Sequence, residues 1–348
     1  MKSKGCARLI IHPSQYPLGL GRELVDCVRK GTVNPKFLYV APEQASHWLE
    51  LRRAYSPFMK KGDTYKQYLG CFKRLGANLK GTAVHIIGLG CGGGEKEQLL
   101  VNTLQKHGCQ VRFTALDVSI PLLVLAQQVV QLTGCTVEDS ICADLPRVKQ
   151  INELFRSESG PEHRVFTFFG MLPVLPPGKL LSMFRSFLKP GDYLLTSANL
   201  IPEHLDEASK ASLLAQYDNQ KTRGWLSSFL GNLGFSNDCG ELVFNLLEKP
   251  AFFEIRAVLK LLENVTVVVN GQELKLKAGF KLHLFSSFRY RNRQVRQQLT
   301  KLGLNCFGTW ESPSDNESIL GFERNRGNPA TKVRLRNASG WPLKKKVK

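Results

Sequence analysis

Between residues 85 and 100 the sequence HIIGLGCGGGEKEQLL carries an apolar run into a cluster of glycines and leaves it as a helix. Ile86 and Ile87 suit a buried parallel strand. Glycines at 88, 90, 92, 93 and 94 let backbone approach a ligand closely, and Leu99, Leu100 and Leu104 supply the buried stripe of a helix that Gly108 ends. The first N–H groups of such a helix have no partner within it and carry the positive end of its dipole, so they attract the polar or anionic end of a nucleotide-type cofactor. Two spacings are met at once. Gly88, Gly90 and Gly93 fit the dinucleotide pattern G-x-G-x-x-G, while Gly88, Gly90 and Gly92 fit the G-x-G-x-G turn of enzymes that use S-adenosylmethionine (SAM). The glycines alone leave both open, along with a tight turn that holds no ligand.

Two acids follow at useful places. VRFTALDVS, 111 to 119, reads as a second strand ending in Asp117, about 25 residues beyond the glycine loop, where a carboxylate can accept from both hydroxyls of a ribose or can cap the next helix. Asp144, after the short segment SICADL (140 to 145), is placed to accept from the exocyclic amine of an adenine. Cys91 lies inside the loop, but no motif supplies it with a base, so it reads as a small turn residue.

The elements that would position these residues alternate. After the first strand and helix come the strand to Asp117, an amphipathic helix over 121 to 134, the segment 140 to 145, a strand over 165 to 172, a helix over 178 to 191 closed by Pro-Gly, and a strand over 192 to 199. Such alternation predicts an α/β fold, a Rossmann-like parallel sheet with helices on both faces and the ligand across the strands' carboxyl ends. The chain then ends in a helix (291 to 304) and two strands (305 to 312, 318 to 324) joined by PSDNE. A helix and a closing hairpin are the usual finish of a class I SAM methyltransferase sheet and unusual in a dinucleotide dehydrogenase, which favours SAM as cofactor.

Between 201 and 290 the alternation breaks down. Residues 203 to 235 read as interrupted helix, FFEIRAVLKLL and VTVVVNGQELKLKAG as strands with an Asn270-Gly271 hairpin, and KLHLFSSFRY (281 to 290) as a return to the sheet. Near the start, Leu9 to Ile11 form a short apolar run, Arg22 to Arg29 a helix, Pro35 and Pro42 bound an extended piece, and Trp48, Leu49, Leu51 and Tyr55 recur at helical spacing as core aromatics and aliphatics. The expected organisation is a second, smaller α+β substrate or lid domain from 1–70 and 201–286, a SAM-binding domain from 71–200 and 287–324, and a basic disordered tail, 325–348.

Composition narrows the class. The chain has 348 residues, 43 % of them apolar, and no apolar run long enough for a membrane helix or an N-terminal secretory segment. Nine cysteines occur with no C-x-x-C pair, a reduced-thiol pattern without a zinc or other metal site. These features predict a cytoplasmic protein. The net charge is +19, but residues 325 to 348 hold eight Lys or Arg and no acid, so the preceding 324 residues carry +11 of it. The tail lacks apolar periodicity and reads as a solvated end or a weak arm for RNA or anionic surfaces.

At this level the sequence resembles the histidine-specific SAM-dependent methyltransferases, the family that includes the histidine Nα-methyltransferase of the ergothioneine pathway. PKFLY (35 to 39) is similar to the family's early P-K-x-x-Y-D segment with Val40 in place of the acid, GLGCGGGEK to its glycine loop, LDVS (116 to 119) to its ribose-binding D-V-S, and ADL (143 to 145) to its adenine-site acid and apolar neighbour. LPPG, KPGDYLL, QYDN and a late S-x-R-Y (287 to 290) follow in order. The resemblance implies SAM contacts from Tyr39, Gly88, Gly90, Gly92, Lys96, Asp117, Asp144 and Leu145, and no metal. On the substrate side the chain departs from the pattern. Leu172 and Pro173 stand where the family has a Gly-Asn pair, and Phe285 stands where a Glu precedes the late Ser287.

The function expected is N-methylation of a small amino-acid-like or amine substrate other than histidine, with Tyr217 of QYDN and Ser287 orienting the amine or taking its proton. Tyr217 also reads as an ordinary half-buried aromatic. Two other functions compete: a methyltransferase acting on RNA or protein, suggested by the tail and by RYRNRQVR (289 to 296), and a nonenzymatic SAM- or nucleotide-binding protein, suggested by Gly88 where an acid usually heads the loop. Against an RNA or DNA base amine, GMLP after VFTFF lacks the [DNS]-P-P-[YFW] motif that grips it. Because the tail has no apolar period, deleting residues 327–348 should leave melting temperature and SAM affinity unchanged in thermal denaturation and calorimetric titration. A large drop in melting temperature would show that the tail packs.

Overall fold

Apolar residues in these strands come in adjacent pairs, which sends neighbours to opposite faces and requires cover on both. In the computed structural model, which describes residues 8–155, 162–174, 183–184, 186–202 and 206–325, that cover is present. The chain begins with strand β1 (Leu9–Ile11), helices α1 (Pro17–Arg29), α2 (Phe37–Val40), α3 (Pro42–Tyr55) and α4 (Asp63–Asn78), then β2 (Ala83–Leu89), α5 (Glu95–Lys106), β3 (Gln110–Asp117) and α6 (Ile120–Gln131). Short strands β4 (Thr136–Val137) and β5 (Ser140–Cys142) lead to β6 (His163–Phe168) and β7 (Tyr193–Asn199).

These strands form a nine-stranded sheet in the order β1-β5-β3-β2-β6-β7, with β4 beside β3, all parallel. At its far edge the closing hairpin of β13 (Leu304–Ser312) and β14 (Glu317–Arg324) inserts β14 antiparallel to β7. Ile86 packs on one face with α4, α5 and α6 through Phe72, Leu100 and Leu123. Ile87 packs on the other with Phe166, Phe184, Phe187 and, from helix α9 (Asn292–Thr300), Val295 and Leu299. The fold is the mixed α/β sheet expected of a SAM methyltransferase.

The segment between β7 and α9 builds a second layer of structure. Helices α7 (Glu207–Ala215) and α8 (Gln220–Asn232) precede strands β8 (Gly240–Glu248), β9 (Phe252–Leu261), β10 (Val265–Val269), β11 (Gln272–Leu276) and β12 (Lys281–Tyr290). Strands β8, β9 and β12 form an antiparallel sheet of three, and β10–β11 a hairpin turning at Asn270 and Gly271, both with positive φ as a primed turn requires. Trp225, Leu226 and Phe229 of α8 pack against Val25 and Val28 of α1 and against Ala257, Leu259 and Leu282 of the small sheet. N-terminal and inserted segments thus share one core.

Several expectations change. KLHLFSSFRY does not return to the main sheet but pairs with β9 along its length, because the edge of β7 that it would need is taken by β14. That strand runs unbroken across the boundary expected at 286/287, and α4 runs across the one at 70/71. Pro35 and Pro42 do not bound an extended piece: α2 lies between them, and Pro42 starts α3, where a missing N–H costs nothing. Strand β8 was unforeseen, since its outward residues are mixed in polarity. The helix expected over 178 to 191 falls partly outside the described residues, with Met183, Phe184, Ser186 and Phe187 helical, and the tail from 326 lies outside them entirely. Among the described residues no helix is long and apolar enough to cross a membrane.

One buried group ties this sheet to pH. His85 of β2 is fully buried and bonded through Nε2 to Thr114 Oγ1 at 2.8 Å. Burial first, then Arg112 and Arg164, push its pKa down to about 3, so the 4.0 Å approach of Nδ1 to Glu162 is not an ion pair at neutral pH. The unfolded chain binds a proton near pH 6.5 that the folded one refuses. Stability from this site is therefore complete above pH 6.5 and is lost as pH falls toward 3, at up to about 1.4 kcal/mol per pH unit. Denaturant titrations of wild type and His85→Gln across pH 4 to 7 should differ by that slope, and parallel curves would refute it.

Candidate active site

The strand ends of the large sheet face the small sheet across a cleft of about 2230 Å³, more than the roughly 300–1,000 Å³ of a single-ligand pocket. It has room for a cofactor and a second molecule. Its floor is the glycine loop. Gly94, with φ of 79°, begins α5, and a Cβ there would lie 2.8 Å from Ala126 Cα of α6. Gly92, with φ of 54°, would drive a Cβ to 2.8 Å from the Trp48 ring. Both conformations favour glycine.

Asp117 closes the loop from the side. One carboxylate oxygen accepts from Gly92 N–H at 3.1 Å and the other from Ser119 N–H at 3.0 Å. Burial raises its pKa, opposed by those bonds. Four lone-pair sites serve two backbone donors, leaving acceptor capacity toward the cleft. Tyr39 stands near it, its ring 5.8 Å from Trp48 and 5.5 Å from Trp225, and burial together with Asp117 pushes the phenol pKa well up, so it remains a hydrogen-bond donor.

Of the residues expected to touch cofactor, Tyr39, Gly90, Gly92, Lys96, Asp117, Asp144 and Leu145 all line the cleft. Gly88 does not. It lies inside β2, where a Cβ would meet Cys91 Cβ at 3.0 Å and the Phe113 ring at 3.2 Å, so its smallness serves packing. Asp144 is not a free acceptor: Lys36 Nζ donates to it at 3.1 Å while also holding Glu23 at 2.6 Å, and Arg147 lies 3.4 Å away. Lys96 is committed as well, donating to Tyr68 Oη at 2.7 Å and sitting 4.4 Å from the Tyr68 ring centroid and 5.6 Å from those of Phe58 and Phe169. Tyr68 Oη in turn donates a hydrogen bond to Glu317 at 2.7 Å, and burial lowers the Lys96 pKa. Cys91 is buried, with its thiol pKa raised by burial and Asp117, in keeping with a turn residue.

On the opposite wall Tyr217 and Ser287 come together, Oη to Oγ 2.9 Å, with Asn199 Nδ2 donating to Tyr217 Oη at 3.4 Å. Tyr217 lines the cleft and Ser287 is buried behind it. Phe285 stacks at 6.2 Å from Tyr217 and 6.1 Å from Trp225, so Tyr39, Trp48, Trp225, Phe285 and Tyr217 make a continuous aromatic wall. Sequence reasoning missed Lys36, though PKFLY contained it, and Trp225, which has no motif. It also missed Glu97, buried beside the loop with Thr167 donating to it at 2.8 Å and its pKa raised by burial. Glu254 lines the same wall, but Arg256 (2.8 Å) and Ser286 (2.7 Å) already donate to it. No group of three or more metal-ligating side chains occurs among the described residues.

These residues fit SAM: bare backbone at a helix start, a strand-end carboxylate with spare acceptor capacity, and an aromatic wall. A family model described as histidine-specific methyltransferase, SAM-dependent, matches residues 71–323. Ergothioneine biosynthesis protein 1 of Schizosaccharomyces pombe is 25 % identical over 242 residues, covering 65 % of this chain. The chain spans only 30 % of that curated relative. Among solved structures, magnesium protoporphyrin IX methyltransferase of Synechocystis PCC 6803 with bound SAH aligns over 82 % of this chain and 95 % of its own, at 13 % identity and TM-score 0.40. OxaC in complex with SAH and oxaline aligns over 74 % and 46 %, at 14 % identity and TM-score 0.37.

Replacing Asp117 by Ala removes a charged acceptor and should weaken SAM binding by about 1.5 to 3 kcal/mol in isothermal titration. Unchanged affinity would mean that Asp117 serves only the two backbone amides.

Proposed function

The chain belongs to the histidine-specific, SAM-dependent methyltransferase family, and from that premise we propose that it methylates the nitrogen of a small amino-acid-like or amine acceptor other than histidine. SAM supplies an electrophilic methyl on a sulfonium. The task left to this chain is to align a neutral amine with that methyl and to exclude water, which can supply most of the acceleration of an in-line displacement.

The observation that carries the reading is the Tyr217–Ser287 hydroxyl pair set beside the aromatic rings of Phe285 and Trp225. The Tyr217 hydroxyl, which lines the cleft, can accept from or donate to an amine and so fix the direction of its lone pair, while Ser287 behind it and Asn199 hold the phenol in place. An imidazole makes a different demand, since both ring nitrogens need partners when buried. Where the family pattern would put a carboxylate, Phe285 is buried against Tyr217 and Trp225, and the carboxylate of Glu254 on the neighbouring strand is engaged by Arg256 and Ser286. Pro173, on the other side, offers a carbonyl that already accepts from Phe288 N–H at 2.8 Å.

Leaving two groups of histidine unsatisfied costs about 1 to 3 kcal/mol each, a factor on the order of 30 to 10⁴ in binding. An assay of SAH release over amino acids, biogenic amines and short peptides should therefore find an acceptor preferred to histidine by at least the lower figure. Efficient turnover of histidine would refute the reading.

A further inference from the structure

Three Lys or Arg residues are buried among those described: Lys36, Arg112 and Arg289. Lys36 is paired with Glu23 and Asp144, and Arg112 with Glu162. Arg289 is 4 % exposed, lines the cleft, and has no carboxylate within 4.0 Å among the described residues. Its Nη1 donates to Leu200 O at 2.9 Å and its Nη2 to Gln216 Oε1 at 2.6 Å, and Nε has no partner. A guanidinium has five donors, so two placed bonds leave most of its capacity unused. The Tyr217 ring, 5.7 Å from Cζ, is the only other compensation among the described residues. Buried charges are paired, and an arginine held away from water by neutral partners lacks its anion.

The position of Arg289 says where that anion comes from. Residues of β12 two apart share a face, and Phe285, Ser287 and Arg289 all meet Tyr217: ring to ring at 6.2 Å, Oγ to Oη at 2.9 Å, Cζ over the ring at 5.7 Å. Along one strand face the acceptor side of the cleft thus offers an aromatic surface, a hydroxyl pair and an unpaired guanidinium. We propose that Arg289 binds the carboxylate of the methyl acceptor, so that the acceptor is an amino acid and not a simple amine, with an apolar or aromatic side chain against Phe285 and Trp225. This rests on the N-methyltransferase reading and narrows it. Arginine suits the role because its planar fork matches a carboxylate with two parallel bonds.

The test uses matched pairs that differ only in the carboxylate: phenylalanine and phenethylamine, tryptophan and tryptamine, leucine and isoamylamine. Methyl transfer and equilibrium binding to the SAH-loaded protein are measured for wild type, Arg289→Gln and Arg289→Lys, with SAM affinity measured alongside. Wild type should favour at least one acid over its amine by about 10- to 150-fold, mainly in KM, the range for charge-assisted hydrogen bonds. Arg289→Gln should bring that ratio close to one with SAM affinity kept, and Arg289→Lys should restore part of it. Lost SAM affinity in Arg289→Gln would overturn the inference by assigning the guanidinium to the cofactor's carboxylate. An unchanged acid-to-amine ratio would overturn it by making Arg289 structural. Equal KM for every amine and its matched acid in wild type would refute the carboxylate contact while leaving N-methylation standing, whereas transfer only to oxygen or carbon would sink the underlying reading. In that last case, binding of the acids that does not depend on Arg289 overturns the inference independently.

Discussion

The carboxylate of Asp117 holds two separate pieces of backbone to one point: the glycine loop through Gly92 and the start of the next helix through Ser119. Everything on the cofactor side depends on that clamp. The parallel pairing of β2 and β3 brings the two loops to the same edge, and Gly90 N–H adds a bond to Leu116 O at 2.7 Å. Without a carboxylate between them, two buried amides would lose their acceptors, and the loop would lose the conformation that presents bare backbone to a ligand. Burial raises the pKa of Asp117, so the clamp works against desolvation, and the amides of Ser119, Gly92 and Val118 oppose it.

Around that point the chain uses two lysines, Lys36 and the half-buried Lys96, as ties. Lys36, from the segment before α2, reaches Glu23 on α1 and Asp144 beyond β5, fastening the N-terminal helices to the main sheet. Lys96 does the same on the other side, through Tyr68 of α4 and Glu317 at the start of β14. Such pairs are weak evidence for net stability, because desolvation offsets much of their attraction. Their effect is positional: each fixes a residue of the cleft in one place by satisfying it from a distant part of the chain.

What the sequence disclosed follows from which interactions are local. The alternation of strands and helices and the hairpin at Asn270-Gly271 rest on periodicity and turn chemistry, which neighbouring residues specify. That the glycine loop, Asp117 and Asp144 would lie at one cleft was legible for the same reason, since a strand end followed by a glycine loop or an acid has a characteristic spacing. Gly88 was the exception, because spacing cannot separate a glycine that faces a ligand from one that admits Phe113. The pairing of β12 with β9 was not legible, because choosing between two sheets depends on which edge is already filled, a long-range fact. The partners of Asp144 and Lys96 were hidden similarly: Lys36 lies 108 residues from Asp144.

The two halves of the cleft come from different structural sources, which explains how one can depart from a family pattern while the other keeps it. The glycine loop, Asp117 and Asp144 follow strand ends of the main sheet, where a change of side chain would disturb loops clamped by Asp117. Acceptor-side residues sit mostly on β12, a strand whose backbone is fixed by nine residue pairings with β9 whatever its side chains are. Positions 285, 287 and 289 lie about 7 Å apart in succession on one face. All three meet Tyr217, so a change at one alters what that ring packs against while leaving the ladder in place. On the reading proposed above, Phe285 at the first of these positions changes what the wall binds while the backbone that carries Ser287 and Arg289 is kept by β9.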